Sequence, residues 1–144
     1  MILLVKGNTM TSINAQPFVK WAGGKRQLLD RIKARLPKHF NGYMEPFVGG
    51  GAVYFGLQPE KAIINDINES LINAYRQIQI SPEEFVNVIS EHDRKIADAG
   101  KEYYYKVREL YNDKLMRAEY DMEPVSYTHL SEGRRSHEIR RSLL

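Results

Sequence analysis

The chain has 144 residues, 42% of them hydrophobic and 27% charged, with a net charge of +3 and no cysteine. That length suits one domain with its own core, and the lack of cysteine excludes disulfides, thiol catalysis and cysteine-ligated zinc. No apolar run approaches the ~20 residues of a membrane span, and the apolar residues 1–5 are too few for a secretory signal, so a cytoplasmic protein that does not enter a membrane is expected.

Residues 1–16 show weak periodicity and several Asn, Thr and Ser, and are expected to form a flexible N-terminus. From Gly24 to Leu36, the side chains Leu28, Leu29, Ile32 and Leu36 recur at helical spacing, which predicts an amphipathic helix ended by Pro37. This region is cationic: between residues 20 and 38, Lys20, Lys25, Arg26, Arg31, Lys33, Arg35 and Lys38 face only Asp30, whereas acids outnumber bases from 60 to 123. Such a stretch can bind phosphates through counterion release, or it can be a solvated helix face. The sequence leaves both open.

Residues 43–48 form a short extended candidate, after which Gly49, Gly50 and Gly51 call for a turn that residues without Cβ make cheaply. A short helix over 52–57 and a buried strand over 61–66 complete a strand, turn, helix, strand unit. Asn68 is the expected cap of a helix whose buried stripe is Leu71, Ile72, Tyr75 and Ile78. Ser81, Pro82 and Glu84 then spell a capping box with a first-turn proline, and Phe85, Val88, Ile89 and Ile96 continue the buried face. Gly100 punctuates that helix, and another follows over 101–116 with Tyr104, Val107, Tyr111 and Leu115 on its apolar side.

A glycine turn between two strands has the shape of a nucleotide or cofactor site, because ligands of open α/β sheets bind beyond the carboxyl ends of the strands. Asp66, at the end of the second strand, stands where it can accept both hydroxyls of a ribose. Two phosphate-binding spellings fail. The dinucleotide fingerprint has Tyr54 where its third glycine belongs, and a P-loop ending at Gly24 and Lys25 would need glycine at Val19 and a hydroxyl residue at Arg26. Trp21, the single tryptophan, either packs in the core or lines a ligand pocket. Lys25 either meets a ligand carboxylate or lies exposed at a helix start. The four histidines have no metal-ligand spacing, and no metal is expected.

Three segments, Lys20-Trp21-Ala22-Gly23-Gly24-Lys25, Glu45-Pro46-Phe47-Val48-Gly49-Gly50-Gly51 and Asn65-Asp66-Ile67-Asn68, resemble in spelling and order the N-terminal motifs of Dam-type DNA adenine-N6 methyltransferases. The resemblance runs over about residues 17–120. It implies an α/β fold, a partial Rossmann-like methyltransferase domain with a parallel sheet flanked by helices and a helical segment after the second strand. It also implies S-adenosylmethionine as cofactor and double-stranded DNA as partner. Trp21, Lys25, Glu45, Phe47, Gly49, Gly51 and Asp66 would then be cofactor-binding, with Trp21 and Lys25 at the methionine end, the 47–51 loop beneath the cofactor and Asp66 on the ribose. By the same resemblance residues 17–80 are the cofactor-binding part and 81–124 a helical segment leading to a recognition region.

The family's catalytic Asp-Pro-Pro-Tyr motif does not occur, since the chain has no Pro-Pro pair, and no residue is assigned a catalytic role. Residues 125–144 depart from the family pattern and begin like a translated sequencing adapter, so a non-native tail is expected there, the alternative being a natural basic tail that binds nucleic acid. The expected protein is an N-terminal part of a site-specific adenine methyltransferase, inactive alone, monomeric and marginally stable because an open sheet edge and apolar face remain. Two alternatives stay open: a non-catalytic nucleic-acid-binding module using residues 20–38, and a nucleotide-dependent oxidoreductase.

Overall fold

The computed structural model describes residues 2–6, 16–19 and 23–117. Three strands form its sheet, β1 (Ile2–Lys6), β2 (Tyr43–Glu45) and β3 (Lys61–Asn65), in the order β1-β3-β2. The helices are α1 (Leu29–Lys33), entered through a 3-10 turn at Lys25–Leu28, then α2 (Ala52–Leu57), α3 (Glu69–Ile80) and α4 (Pro82–Met116).

β3 is central because it satisfies both neighbours. β2 pairs with it in parallel, Glu45 opposite Ile64, and the 46–60 crossover through α2 allows that direction. β1 pairs antiparallel on the other side, Leu4 opposite Ile63. Two expectations are corrected here. The sheet is mixed, not wholly parallel, and the terminus expected to be flexible contributes a strand over 2–6. The exposed row of N–H and C=O groups on β3 gives that short apolar run a ladder, a long-range partner that local periodicity cannot reveal.

Along β3 burial alternates as the pleat requires, with Ala62 and Ile64 buried and Lys61 exposed. Ile64 enters a core with Leu71 and Ile72 of α3, Phe85, Val86 and Ile89 of α4, and Phe18 from the segment before the cationic region. Phe18 meets Tyr75 and Phe85 edge-on, at ring-centroid distances of 5.0 and 6.2 Å, an arrangement favoured by the ring quadrupoles.

The helix starts differ from the sequence pattern in instructive ways. Asn68 caps α3 as expected, its side-chain oxygen accepting the Leu71 N–H at 2.9 Å. Ser81 makes no such bond; its own N–H still donates to Gln77 at the end of α3, so one residue closes one helix while opening the next and its side chain is not placed to cap. The helix expected over 24–36 is only five residues of α-helix after the 3-10 turn. At three residues per turn instead of 3.6 the stripe loses phase, and Leu28 points outward, 47% exposed. Gly100, with φ 61° and ψ −139°, breaks α4 into two helical halves.

Gly51 is where the fold leaves least freedom. It has φ +77°, and a Cβ there would lie 2.6 Å from the Tyr75 hydroxyl and 2.8 Å from the Phe55 ring. Left-handed backbone costs roughly 1–2 kcal/mol for a residue with a side chain, and overpacking adds about 1–3 kcal/mol. Gly51→Ala is therefore expected to lower the unfolding free energy by about 2–4 kcal/mol, read from the urea midpoint at unchanged denaturant slope.

Candidate functional site

The loops after β2 and β3 meet at one end of the parallel pair. Pro46 carries no N–H and ends β2, yet the chain stays bound to β3 because Val48 N–H donates to the Asn65 carbonyl at 2.9 Å. A tight turn follows, closed by Gly51 N–H on the Val48 carbonyl, and α2 begins.

Asp66 ties the two loops together. Its Oδ2 accepts the Gly49 N–H at 2.9 Å and its Oδ1 accepts the Asn68 N–H at 3.0 Å. The residue is only 8% exposed. A carboxylate offers about four lone-pair directions, so two remain after these bonds. Tyr75 supports the same loop from below, its hydroxyl donating to the Gly49 carbonyl at 3.0 Å. Burial pushes the Tyr75 phenol well above its ordinary value, with the negative charge of Glu45 adding to the effect, so it stays a donor.

A second cluster lies beside this loop. The Lys25 ammonium donates to Glu45 Oε1 at 2.9 Å and to the Phe47 carbonyl, and Tyr43 donates to Glu45 Oε2 at 2.9 Å. Glu45 is buried, 6% exposed, with both oxygens engaged. The Lys25 side chain remains 39% exposed, and one of its three N–H donors is left over.

Between these groups is a cavity of about 580 Å³, whose wall includes Val19, Lys25, Phe47, Gly49, Gly50 and Asp66. Phe47 is 71% exposed and offers an apolar ring. Arg26 and Gln27 also reach the wall. Of the residues singled out in the sequence, Lys25, Phe47, Gly49 and Asp66 thus come together around one space. Glu45 and Gly51 do not line it: Glu45 holds Lys25, and Gly51 shapes the turn into α2. Trp21 lies outside the described residues, as does the expected tail over 125–144. Tyr43 and Tyr75 were not among the expected site residues. Tyr75 belongs to the apolar stripe of α3, and nothing in that spacing signals where its hydroxyl points. Among the described residues no three His, Asp or Glu side chains gather as a metal site.

Comparison with known proteins bears on this geometry. Residues 21–133 match the family described as D12 class N6 adenine-specific DNA methyltransferase. The chain belongs to that family. It is 49% identical over 96 residues to the type II methyltransferase M1.LlaDCHI of Lactococcus lactis subsp. cremoris, covering 67% of this chain and 33% of that protein. It is 40% identical over 113 residues to the type II methyltransferase M.MjaIII of Methanocaldococcus jannaschii, covering 69% and 39%. It is 40% identical over 95 residues to the DNA adenine methylase of Escherichia coli K12, covering 66% and 34%. The chain therefore spans about a third of the length of such relatives, and that third holds the cavity and both loops.

The half-buried Tyr43 hydroxyl gives a pH signature. Burial, then the hydrogen bond to Glu45 and its charge, raise the Tyr43 phenol far above the ordinary value near 10. A folded-state pKa above the unfolded one adds stability that is complete below pH ~10 and is lost as pH rises beyond it. Thermal midpoints measured from pH 8 to 11 are expected to fall for the wild-type chain and to fall less steeply for Tyr43→Phe, with the remaining slope due to Tyr75 and Tyr54, whose phenols burial also raises.

Proposed function

We propose that the cavity binds S-adenosylmethionine and that the chain is the donor-binding part of a site-specific enzyme methylating adenine N6 in double-stranded DNA. The observation that carries this is the convergence of Asp66, the Gly49–Gly50 backbone, Lys25 and Phe47 on one space, in a chain that belongs to an adenine-specific family. In this reading the site sits at the carboxyl end of the parallel pair in a partial Rossmann-like domain.

The residues present fit such a cofactor. A volume of about 580 Å³ lies within the usual range for small-molecule sites. The two unused lone-pair directions of Asp66 suit a ribose diol, and glycine backbone at 49 and 50 lets the ligand approach without meeting a Cβ. The free N–H of Lys25 suits the amino-acid carboxylate, and the Phe47 ring supplies a flat apolar face. When bound, the cofactor supplies an electrophilic methyl group on a sulfonium that leaves as a neutral thioether. The chain's own part is to hold and orient that group, which removes the entropic share of the barrier. Polarising the acceptor amine is a separate task, and these 144 residues carry no Asp-Pro-Pro-Tyr sequence for it. We therefore infer that they bind the donor without transferring the methyl group on their own.

A second reading is favoured by one feature: Arg26, Arg31, Lys33, Arg35 and Lys38 are all exposed, as a non-catalytic nucleic-acid-binding module would need. Its signature is a steep fall of DNA affinity with salt and no heat with S-adenosylmethionine.

Calorimetry separates the two. The wild-type chain is expected to bind S-adenosylmethionine, and Asp66→Ala to abolish that binding. Phe47→Ala is the cleaner probe because the exposed ring supports little of the core. Its urea midpoint is expected within about 0.5 kcal/mol of wild type, with donor affinity about tenfold weaker from the lost ring contact. No donor heat in the folded wild-type chain would refute the proposal.

A further inference from the structure

Lys25 does not reach the cavity unaided. Its ammonium is held between the Glu45 carboxylate and the Phe47 carbonyl, and the other oxygen of Glu45 is held by Tyr43. The three side chains form a line from the body of β2 to the cavity wall, and exposure rises along its last step, from 7% for the Glu45 side chain to 39% for Lys25. Tyr43 and Glu45 are both absent from the wall itself, so whatever they do for a ligand they do through Lys25.

We propose that Tyr43 is a positioning residue for the donor site: by occupying one oxygen of Glu45 it restricts that carboxylate to a single bond with Lys25, which leaves an ammonium N–H directed at the carboxylate end of an amino-acid-bearing nucleoside. This rests on the donor-site function proposed above and adds a residue that touches neither ligand nor cavity.

The physical basis is competition for one cation. A buried carboxylate needs its oxygens hydrogen-bonded, and an unsatisfied one is costly. With the Tyr43 hydroxyl present, Glu45 is satisfied by two donors on two sides. With it removed, the Lys25 ammonium, already bonded to the other oxygen, would swing to straddle both oxygens and withdraw its spare N–H from the cavity. The phenol is suited to this task because it remains a neutral donor across the physiological range, its burial and the Glu45 charge both opposing ionisation. Tyr43 also lies at the start of a parallel pair, opposite Ala62, so its backbone is fixed by the ladder and its hydroxyl points at Glu45 from a rigid base.

The consequence is selective. The adenosine part of a ligand, which meets Asp66 and Phe47 and not Lys25, is indifferent to Tyr43; the amino-acid part is not. The experiment measures, by calorimetry on the full chain, affinities for S-adenosylmethionine and for 5′-methylthioadenosine, which lacks the amino-acid portion. Tyr43→Phe is expected to weaken S-adenosylmethionine about ten- to a hundredfold, as losing one hydrogen bond to a charged group would. It is expected to leave 5′-methylthioadenosine unchanged, which also reports an intact cavity. In a Lys25→Met background the same substitution is expected to have no further effect, since a residue acting through Lys25 has nothing left to position. Where Tyr43→Phe does not fold, Tyr43→Leu carries the same test, because it also removes the hydroxyl while leaving the Glu45 carboxylate and Lys25 in place, and should show the same split between the two nucleosides.

Equal weakening of both nucleosides by a folded Tyr43→Phe, no weakening of either, or an undiminished effect in the Lys25→Met background would overturn the positioning role while leaving the donor site standing. A wild-type chain that binds neither nucleoside overturns the donor site and the positioning role together.

Discussion

The site depends on one carboxylate with two backbone partners. Asp66 accepts Gly49 N–H from the loop after β2 and Asn68 N–H from the turn that starts α3, and so binds these two connections together. Fixing a backbone residue costs about 1–2 kcal/mol of conformational entropy, and glycine costs the most. Hydrogen bonds to a charged acceptor contribute about 1.5–3 kcal/mol each. Two of them offset the ordering of roughly two residues, which is most of the glycine turn. A neutral amide at position 66 would have to present an NH2 group to one of these N–H donors, so only an acid serves both loops.

Around that tie the tyrosines connect site and core. Tyr75 touches Phe18 through its ring and the Gly49 carbonyl through its hydroxyl, and the Cβ-free space at Gly51 is what allows the hydroxyl to stand there. Core packing and loop geometry are therefore one problem, and a substitution in either is felt in the other. Tyr43 plays the corresponding part on the cationic side, where it gives the buried Glu45 a second donor beside the half-exposed Lys25.

Much of this was legible in the sequence because the signals are local. The Gly49-Gly50-Gly51 run, the acid at 66, the Asn68 cap and the break at Gly100 each act within a few residues, and each is found where its spelling places it. What escaped was non-local. β1 exists because β3 has a free edge, and no periodicity in residues 2–6 says so. The helix after Lys25 is shorter than its apolar spacing predicts because its first turn is 3-10, a difference of about 0.6 residue per turn that moves Leu28 from the buried stripe to the surface. Glu45 shares a motif with Phe47 and Gly49, and spelling alone puts it with the ligand-binding residues. Alternation along β2 puts its side chain on the same face as Tyr43, where it holds Lys25 and does not itself line the cavity.

Amide NMR on the isotopically labelled chain tests most directly whether the glycine turn and Asp66 together form the floor of a methyl-donor site. Before addition the Gly49 and Asn68 amide protons should lie downfield, as donors to a carboxylate do. On titration with S-adenosylmethionine the largest shifts should fall on Gly49, Gly50 and Asp66. Shifts confined to the bend of α4, with the Gly49, Gly50 and Asp66 amides unmoved at saturating ligand, would contradict it.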